Sequence, residues 1–460
     1  LRWEKGLRFE GFIQGANLPN IIGRLERLPI TNYQKKIFAI IATAWLVDQI
    51  DVALLVFLLG SVAQYFNLTK VQSGLLAAMT FSGQLVGNIL VGFFADKFGR
   101  RSMLQITMLL WGSATLLAAL SWSITSLMVL RFLVGVGVGG EAPVAQAFLS
   151  EIIPAKQRGK YIAYMEGFWA VGYVLAGTFS YFLLPYVNWR GVFVVVGLLA
   201  VWVLWLRRLL PESPRWLLSK GRIIAAENTI SKMEAETIKR TQQALPEAHM
   251  VEEPITKRAH PLELLISKEY LRRNLMLAGL WFFALLGYFG LSSWLALLLE
   301  NNGFSVIQAV GFATLISVGG IPGFFSAGIL LEKIGRKASV ILFTTFSAVA
   351  AYFYGHSTLT YQLFITGFIM EFFMFGMWSC LYAYTPELYP TSCRSTGAGL
   401  ASAYGRVGAL LGPVLIGYTV STFGSKNIFT LGAACLITAA LFVLVFGIET
   451  KGKLLEDASK

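Results

Sequence analysis

Long apolar stretches alternate with short polar breaks along almost the whole chain. A helix of about 20 apolar residues crosses the ~30 Å hydrocarbon core of a bilayer. Runs of that kind fall at 37–61, 71–94, 103–121, 123–150, 160–184, 190–208, 273–300, 304–331, 337–355, 359–386, 395–420 and 427–448. They predict twelve membrane-spanning helices, numbered one to twelve below. The links are short except at 209–272, where "SKMEAETIKRTQQALPEAHMVEEPITKR" predicts surface helices and a linker. The expected organisation is a segment 1–36, a six-helix bundle 37–208, a linker 209–272, a second six-helix bundle 273–448 and a tail 449–460. The expected fold class is an all-α membrane protein.

The two bundles repeat one another. "GFFADKFGRR" (92–101) returns as "GILLEKIGRK" (328–337), and the same offset of 236 residues carries "EIIPAKQR" (151–158) onto "ELYPTSCR" (387–394). That register also aligns Gly83 with Gly319, Gly87 with Gly323, Gly140 with Gly376 and Gly172 with Gly408. So many matches in one register predict two parallel six-helix repeats. Such repeats, with a site near the bilayer midplane between them, are a transporter architecture.

Composition and charge sharpen this picture. Hydrophobic residues make up 56% of the chain and charged residues 14%, well below the ~25% charged residues of a soluble domain. Most of the 38 Lys and Arg lie in the ends and in links that share one side if both termini are cytoplasmic. Only Lys70, Arg190 and Lys426 fall on the other side, while Arg131 and Arg406 lie within spans. This is the positive-inside pattern, so the net charge of +13 reflects topology and requires no nucleic acid. Cys380, Cys393 and Cys435 show no metal or disulfide spacing, and His249, His260 and His356 fall in links. No nucleophile–base set is present, so no enzyme, metal or cofactor is expected. The glycines of "GVGVGG" (135–140) follow no strand, and they read as close helix packing rather than a dinucleotide loop.

The charges inside the spans are Asp48, Asp51, Arg131, Glu141, Glu166, Glu371 and Arg406. One such charge at mid-bilayer costs roughly 2.5–3.5 kcal/mol even on a lenient insertion scale. At ~1.5 Å per residue, Asp51 lies roughly 21 Å and Arg131 roughly 28 Å above the same face, within reach of a long guanidinium. They are a candidate buried pair. Asp48, one turn below, either shares their proton, orients the pair, or is a packing acid. Arg406, roughly 16 Å into span eleven among small residues, needs either a structural acid such as Glu371 or an anionic substrate. Glu371, Trp378 and Tyr382 form one stripe on span ten, Glu166, Trp169 and Tyr173 another on span five, and Tyr288 lies mid-depth on span seven. Aromatic walls around one cation suit a flat aromatic acid. At the cytoplasmic face, Arg100 and Arg158 can pair with Glu151, and Arg336 and Arg394 with Glu387. Asp96, repeated as Glu332, can accept from the N-terminal amides of a neighbouring helix.

"GxxxDxxGRR" between spans two and three resembles the signature of the major facilitator superfamily. "RFLVGVGVGGEAPVA" (131–145), "PESPRWL" (211–217) and "ELYPTSCRSTGAGLASAYGRVGALLGP" (387–413) narrow the likeness. They resemble the branch holding sugar porters, organic-ion transporters, synaptic-vesicle-glycoprotein-2-like proteins and bacterial niacin transporters. The likeness covers residues 30–455. It implies the major facilitator fold, transport by alternating access, and a cytoplasmic gate in which Asp96, Arg100, Glu151, Arg158, Glu332, Arg336, Glu387 and Arg394 latch and release. Proton-driven sugar porters place an Asp on span one and an Arg on span four, which implies proton coupling at Asp51 with Arg131. The position of Arg406 is acidic in cation and basic in anion transporters of this branch, so "AYGRVGALLGP" implies an anion. Animal organic-ion transporters carry a large domain between spans one and two, whereas this link spans only 62–70. A bacterial inner-membrane protein with cytoplasmic termini is therefore expected. The expected partners are a small organic anion such as nicotinate, protons and the lipid bilayer, with the chain a monomer. An organic-cation or sugar transporter, and a non-transporting receptor of the same fold, are the alternatives.

Overall fold

A computed structural model of the protein describes residues 20–30, 32–248, 268–301, 303–389, 394–423 and 426–451, and every regular element in them is an α-helix. Spans one to four are Asn32–Phe66, Lys70–Phe98, Arg100–Ala118 and Ile124–Ile152. Spans five and six form one stretch, Ala155–Arg207, broken at Asn188, whose φ of 51° leaves the right-handed helical region. Span seven is Lys268–Ser292, continued after a turn by Leu295–Asn301; span eight is Val306–Val318 with Gly320–Ile334. Spans nine to twelve are Arg336–His356, Thr360–Glu387, Arg394–Phe423 and Lys426–Phe446. Among the described residues nine helices are long and apolar enough to cross a membrane. Counted with the break at Asn188 and with spans two and three, they make the twelve expected segments.

Local sequence chemistry sets several boundaries. Thr69 with Gln72, Ser123 with Ser126, and Ser305 with Gln308 close reciprocal capping boxes that start spans two, four and eight. All three lie at the end of the molecule remote from the linker, called here the far end. At the linker end, Gly99 (φ 101°) turns span two into span three, and its repeat mate Gly335 (φ 99°) turns span eight into span nine. Only glycine adopts that backbone without strain. The glycine-rich run of span four is a packing surface: a Cβ on Gly135 would run into the Thr80 carbonyl of span two.

Within the first half, span two packs on four and span one on five and six; within the second, seven packs on eleven and twelve, and nine on ten and twelve. The halves meet where span two faces eleven, five faces eight, and span one faces Leu295–Asn301. The linker carries helices Pro214–Ser219 and Ile223–Thr241. On the second of these docks the short helix Ile21–Glu26, through Arg24 to Glu227 and Glu234 and Arg27 to Glu234.

Candidate functional site

A cavity of about 40 Å³ opens between the halves, lined among others by Gln84, Glu166, Trp169, Trp378, Tyr382 and Arg406. It is far below the ~300–1,000 Å³ of a ligand pocket, so in this conformation the halves are drawn in around the centre. Arg406 reaches it because Gly405 and Gly408 leave span eleven without bulk against span seven. Its Nη1 donates to Gln84 Oε1 on span two, a bond across the two halves. Glu166 accepts from Gln146 Nε2 at 2.8 Å and lies close enough to Arg406 to feel its charge. Trp169 and Trp378 meet at 5.3 Å between ring centroids, and Trp378 stacks on Tyr382 at 5.7 Å.

Three of the expected binding residues do not line this space. Tyr173 and Tyr288 stand behind Trp169, at 6.3 and 5.8 Å between centroids. Glu371 is buried two turns from Trp378 along span ten, and neither of its oxygens has a hydrogen-bond partner among the described residues. The expected stripe therefore splits: Trp378 and Tyr382 face the cavity and Glu371 does not. Arg406 is likewise not paired with Glu371; it is held by Gln84, with Glu166 and Tyr382 as its electrostatic neighbours. Gln84 carried no sequence signal, because a single amide on an otherwise apolar helix is unremarkable until the opposing helix is known.

Away from the cavity, Asp51 and Arg131 are both wholly buried, with Arg131 Nη1 3.5 Å from Asp51 Oδ2. Thr115 bridges them, donating to Asp51 Oδ1 at 2.9 Å and accepting from Arg131 Nη2 at 3.2 Å. The guanidinium also lies 4.6 Å over the ring of Phe193, a cation–π contact that offsets part of its desolvation. Asp48 is buried with both oxygens unpartnered among the described residues. Its nearest charges are Arg207 and Asp51. Arg207, in the last turn of span six, is also wholly buried, though its place at the end of the span gave no sequence signal of a buried charge. It pairs with Glu141 and donates to the Leu104 carbonyl at 2.5 Å, while Trp111 Nε1 donates to Glu141 at 3.4 Å.

At the linker end the repeat is visible in three dimensions. Arg100 pairs with Glu151 at 2.9 Å and its mate Arg336 with Glu387 at 3.1 Å; Arg336 also meets Glu332 at 3.0 Å. Arg158 corrects the expectation: it reaches Glu26 of the N-terminal helix at 3.1 Å, not Glu151. The side chains of Asp96 and Arg394 lie outside the described residues. A residue of the "PESPRWL" segment caps span three. Glu212 accepts from the Arg100 and Arg101 amides at 3.0 and 3.2 Å. Glu449 does the same for Arg336 and Lys337, at 2.8 and 3.1 Å. These caps come from the chain just after spans six and twelve, at an offset of 237 residues, one step out of the register that revealed the repeat.

A model of the family described as "Sugar (and other) transporter" matches residues 38–460. The "Niacin transporter NiaP" of Acinetobacter baylyi is 33% identical over 439 residues, covering 95% of this chain and 99% of the relative. The "4-hydroxybenzoate transporter PcaK" of the same organism is 29% identical over 403 residues, covering 85% and 86%. Among solved structures, the partially occluded inward open conformation of the xylose transporter XylE from E. coli matches with a TM-score of 0.72. It is 19% identical, and the match covers 92% of this chain and 100% of that one. At that identity it shows the fold alone.

Proposed function

The chain belongs to the sugar (and other) transporter family of the major facilitator superfamily, and on that footing we propose that it carries a small organic anion coupled to protons. It is a multi-pass secondary transporter of a small metabolite and not an enzyme. The anion proposed is an aromatic carboxylate such as nicotinate. The observation that carries this reading is Arg406, a permanent cation in a cavity walled by Trp169, Trp378 and Tyr382. Niacin and 4-hydroxybenzoate, the compounds in the names of two relatives, are each one flat ring bearing one carboxylate. Such a ligand stacks its ring on the indoles and offers two oxygens to the guanidinium fork.

In this reading the carboxylate replaces Gln84 on Arg406, so occupancy of the site loosens a bond that ties the halves together. Asp51 is the coupling acid. Its protonation removes the charge that holds Arg131, and the freed guanidinium keeps only Thr115 and the Phe193 ring. The halves then rock about the substrate and expose it to the other side. The cytoplasmic latches are Arg100–Glu151 and Arg336–Glu387, with both termini in the cytoplasm and the chain in a bacterial inner membrane as a monomer. Glu166 favours a second reading: an acid in the same cavity suits an organic cation or the hydroxyls of a sugar.

Proteoliposome counterflow tests the proposal. Labelled nicotinate should exchange into liposomes preloaded with unlabelled nicotinate, and a proton gradient directed inward, acid outside, should drive net accumulation. Benzoate should compete, whereas xylose and quaternary amines should not. Competition by amines or sugars with none by aromatic acids would reverse the assignment to the second reading. An absence of exchange with every class would make the protein a receptor.

A further inference from the structure

Behind the aromatic wall of the cavity lie five buried polar side chains, Glu371, Tyr173, Tyr288, Tyr354 and Ser292. Both oxygens of Glu371 and the Tyr354 hydroxyl have no hydrogen-bond partner among the described residues, and the Tyr173 and Tyr288 hydroxyls have only Ser292 within reach. They come from four spans and both halves: Tyr173 from span five, Tyr288 and Ser292 from seven, Tyr354 from nine, Glu371 from ten. Ser292 lies beside the Tyr173 and Tyr288 hydroxyls, and all three tyrosines feel the charge on Glu371. The layer sits beyond the cavity toward the far end. Trp378 meets Tyr288 at 5.5 Å between centroids, and Glu371 is seven residues, ~10 Å, farther along span ten.

One buried polar group without a partner costs about 1–3 kcal/mol, and buried polar atoms in native proteins are overwhelmingly satisfied. An unpartnered carboxyl among them points to a ligand or a protonation state that satisfies it. An ionised carboxylate is the most demanding member, because a lone buried charge is far costlier than a lone dipole. Among the described residues no cation offsets it. Spans eight and eleven bring no charged group to bear on Glu371, and Arg406 is engaged with Gln84 and Glu166. A neutral carboxylic acid resolves the conflict, since it carries one O–H donor and one carbonyl acceptor among hydroxyls that can each donate or accept.

We propose that Glu371, ringed by Tyr173, Tyr288, Tyr354 and Ser292, is a second proton-binding site, separate from the Asp51–Arg131 pair and placed between the central cavity and the far end. Its ligand is a proton taken from water. Release returns the proton to water and leaves a carboxylate that the Tyr173 and Tyr288 hydroxyls solvate by donating to it. Tyr173 belongs to one half and the other four residues to the other half. Parting the halves therefore removes a donor and admits water, so proton occupancy changes with conformation.

Infrared difference spectroscopy of the purified full chain in light and heavy water tests this. At neutral pH the wild type should show a carboxylic-acid C=O stretch that is missing in Glu371→Gln and that fades on alkaline titration. Identical wild-type and Glu371→Gln spectra at neutral pH would overturn the proposal. Should that variant not fold, Tyr288→Phe carries the same test. Losing one donor to the carboxylate should move the midpoint of fading up by about one to two pH units, the scale of one charged hydrogen bond. An unchanged midpoint would also overturn it. No substrate is needed, so the result is independent of the aromatic-acid reading.

Discussion

Arg406 on span eleven donates to the amide oxygen of Gln84 on span two, so one hydrogen bond joins the two halves at the centre of the molecule. A carboxylate brings a full negative charge and two oxygens that can take the guanidinium fork together, whereas the amide offers one neutral oxygen. Gln84 therefore acts as a weak occupant that an anionic ligand can displace.

Arg406→Ala should weaken binding of an aromatic acid by roughly 2–3 kcal/mol, the scale of a charged hydrogen bond in a dry site, or about 30- to 150-fold. The neutral amide of the same acid should bind wild type poorly and lose little more. Arg406→Lys should rescue only in part, because an ammonium cannot copy the planar fork. Gln84→Ala should not weaken the acid. Equilibrium binding of acid and amide to each variant decides the matter; equal losses for both ligands would remove Arg406 from the substrate site.

Asp51 is the only acid in direct contact with Arg131 among the described residues. Asp51→Asn should abolish uphill uptake driven by a pH gradient while keeping exchange, because only the titrating group is lost. Arg131→Ala should be worse, since it strands a buried carboxylate. Uptake and counterflow measured side by side in proteoliposomes separate the two effects. Wild-type accumulation by Asp51→Asn would make Asp51 structural.

Glu212 and Glu449 cap equivalent helices. An acid at a helix N-terminus contributes about 0.3–1 kcal/mol, and up to ~2 when partly buried. Glu212→Gln should therefore lower the temperature of thermal inactivation of ligand binding by a few degrees. Burial works to raise the Glu449 carboxyl, but the amides of Lys451, Arg336, Thr450 and Lys337 together hold it below its ordinary value. Its contribution is thus present above the usual carboxylate range and lost as pH falls through that lowered value. Glu449→Gln should remove this acid-side loss from the stability profile. An unaltered profile would show that the cap contributes nothing.

Glu300, at the far end, lies over Gly60 of span one and accepts from Gln64 Nε2 at 3.2 Å. This contact joins the halves at the far end, as Arg406 with Gln84 joins them at the centre. Glu300→Ala should therefore raise the open population reported by spin labels at Val71 and Ile307. An unchanged distance distribution would rule the effect out.

Twelve spans, the parallel repeat and the buried charges were legible in the sequence, because a bilayer demands long apolar helices and makes every intramembrane charge conspicuous. The pairing of Asp51 with Arg131 could be read from depth alone, since rise per residue is fixed. Rotation about each helix axis and the approach of the halves are not fixed that way. Glu371 shares a stripe with Trp378 and Tyr382, yet two turns of helix carry it behind the cavity wall. Arg207, at the very end of span six, did not stand out as an intramembrane charge until the fold buried it against Glu141. Arg158 could reach Glu151 in sequence terms, but the docked helix Ile21–Glu26 offers Glu26 instead. Gln84 gained its meaning only from Arg406, 322 residues away. Local periodicity determines which residues a helix must bury, and packing between helices decides what those residues touch.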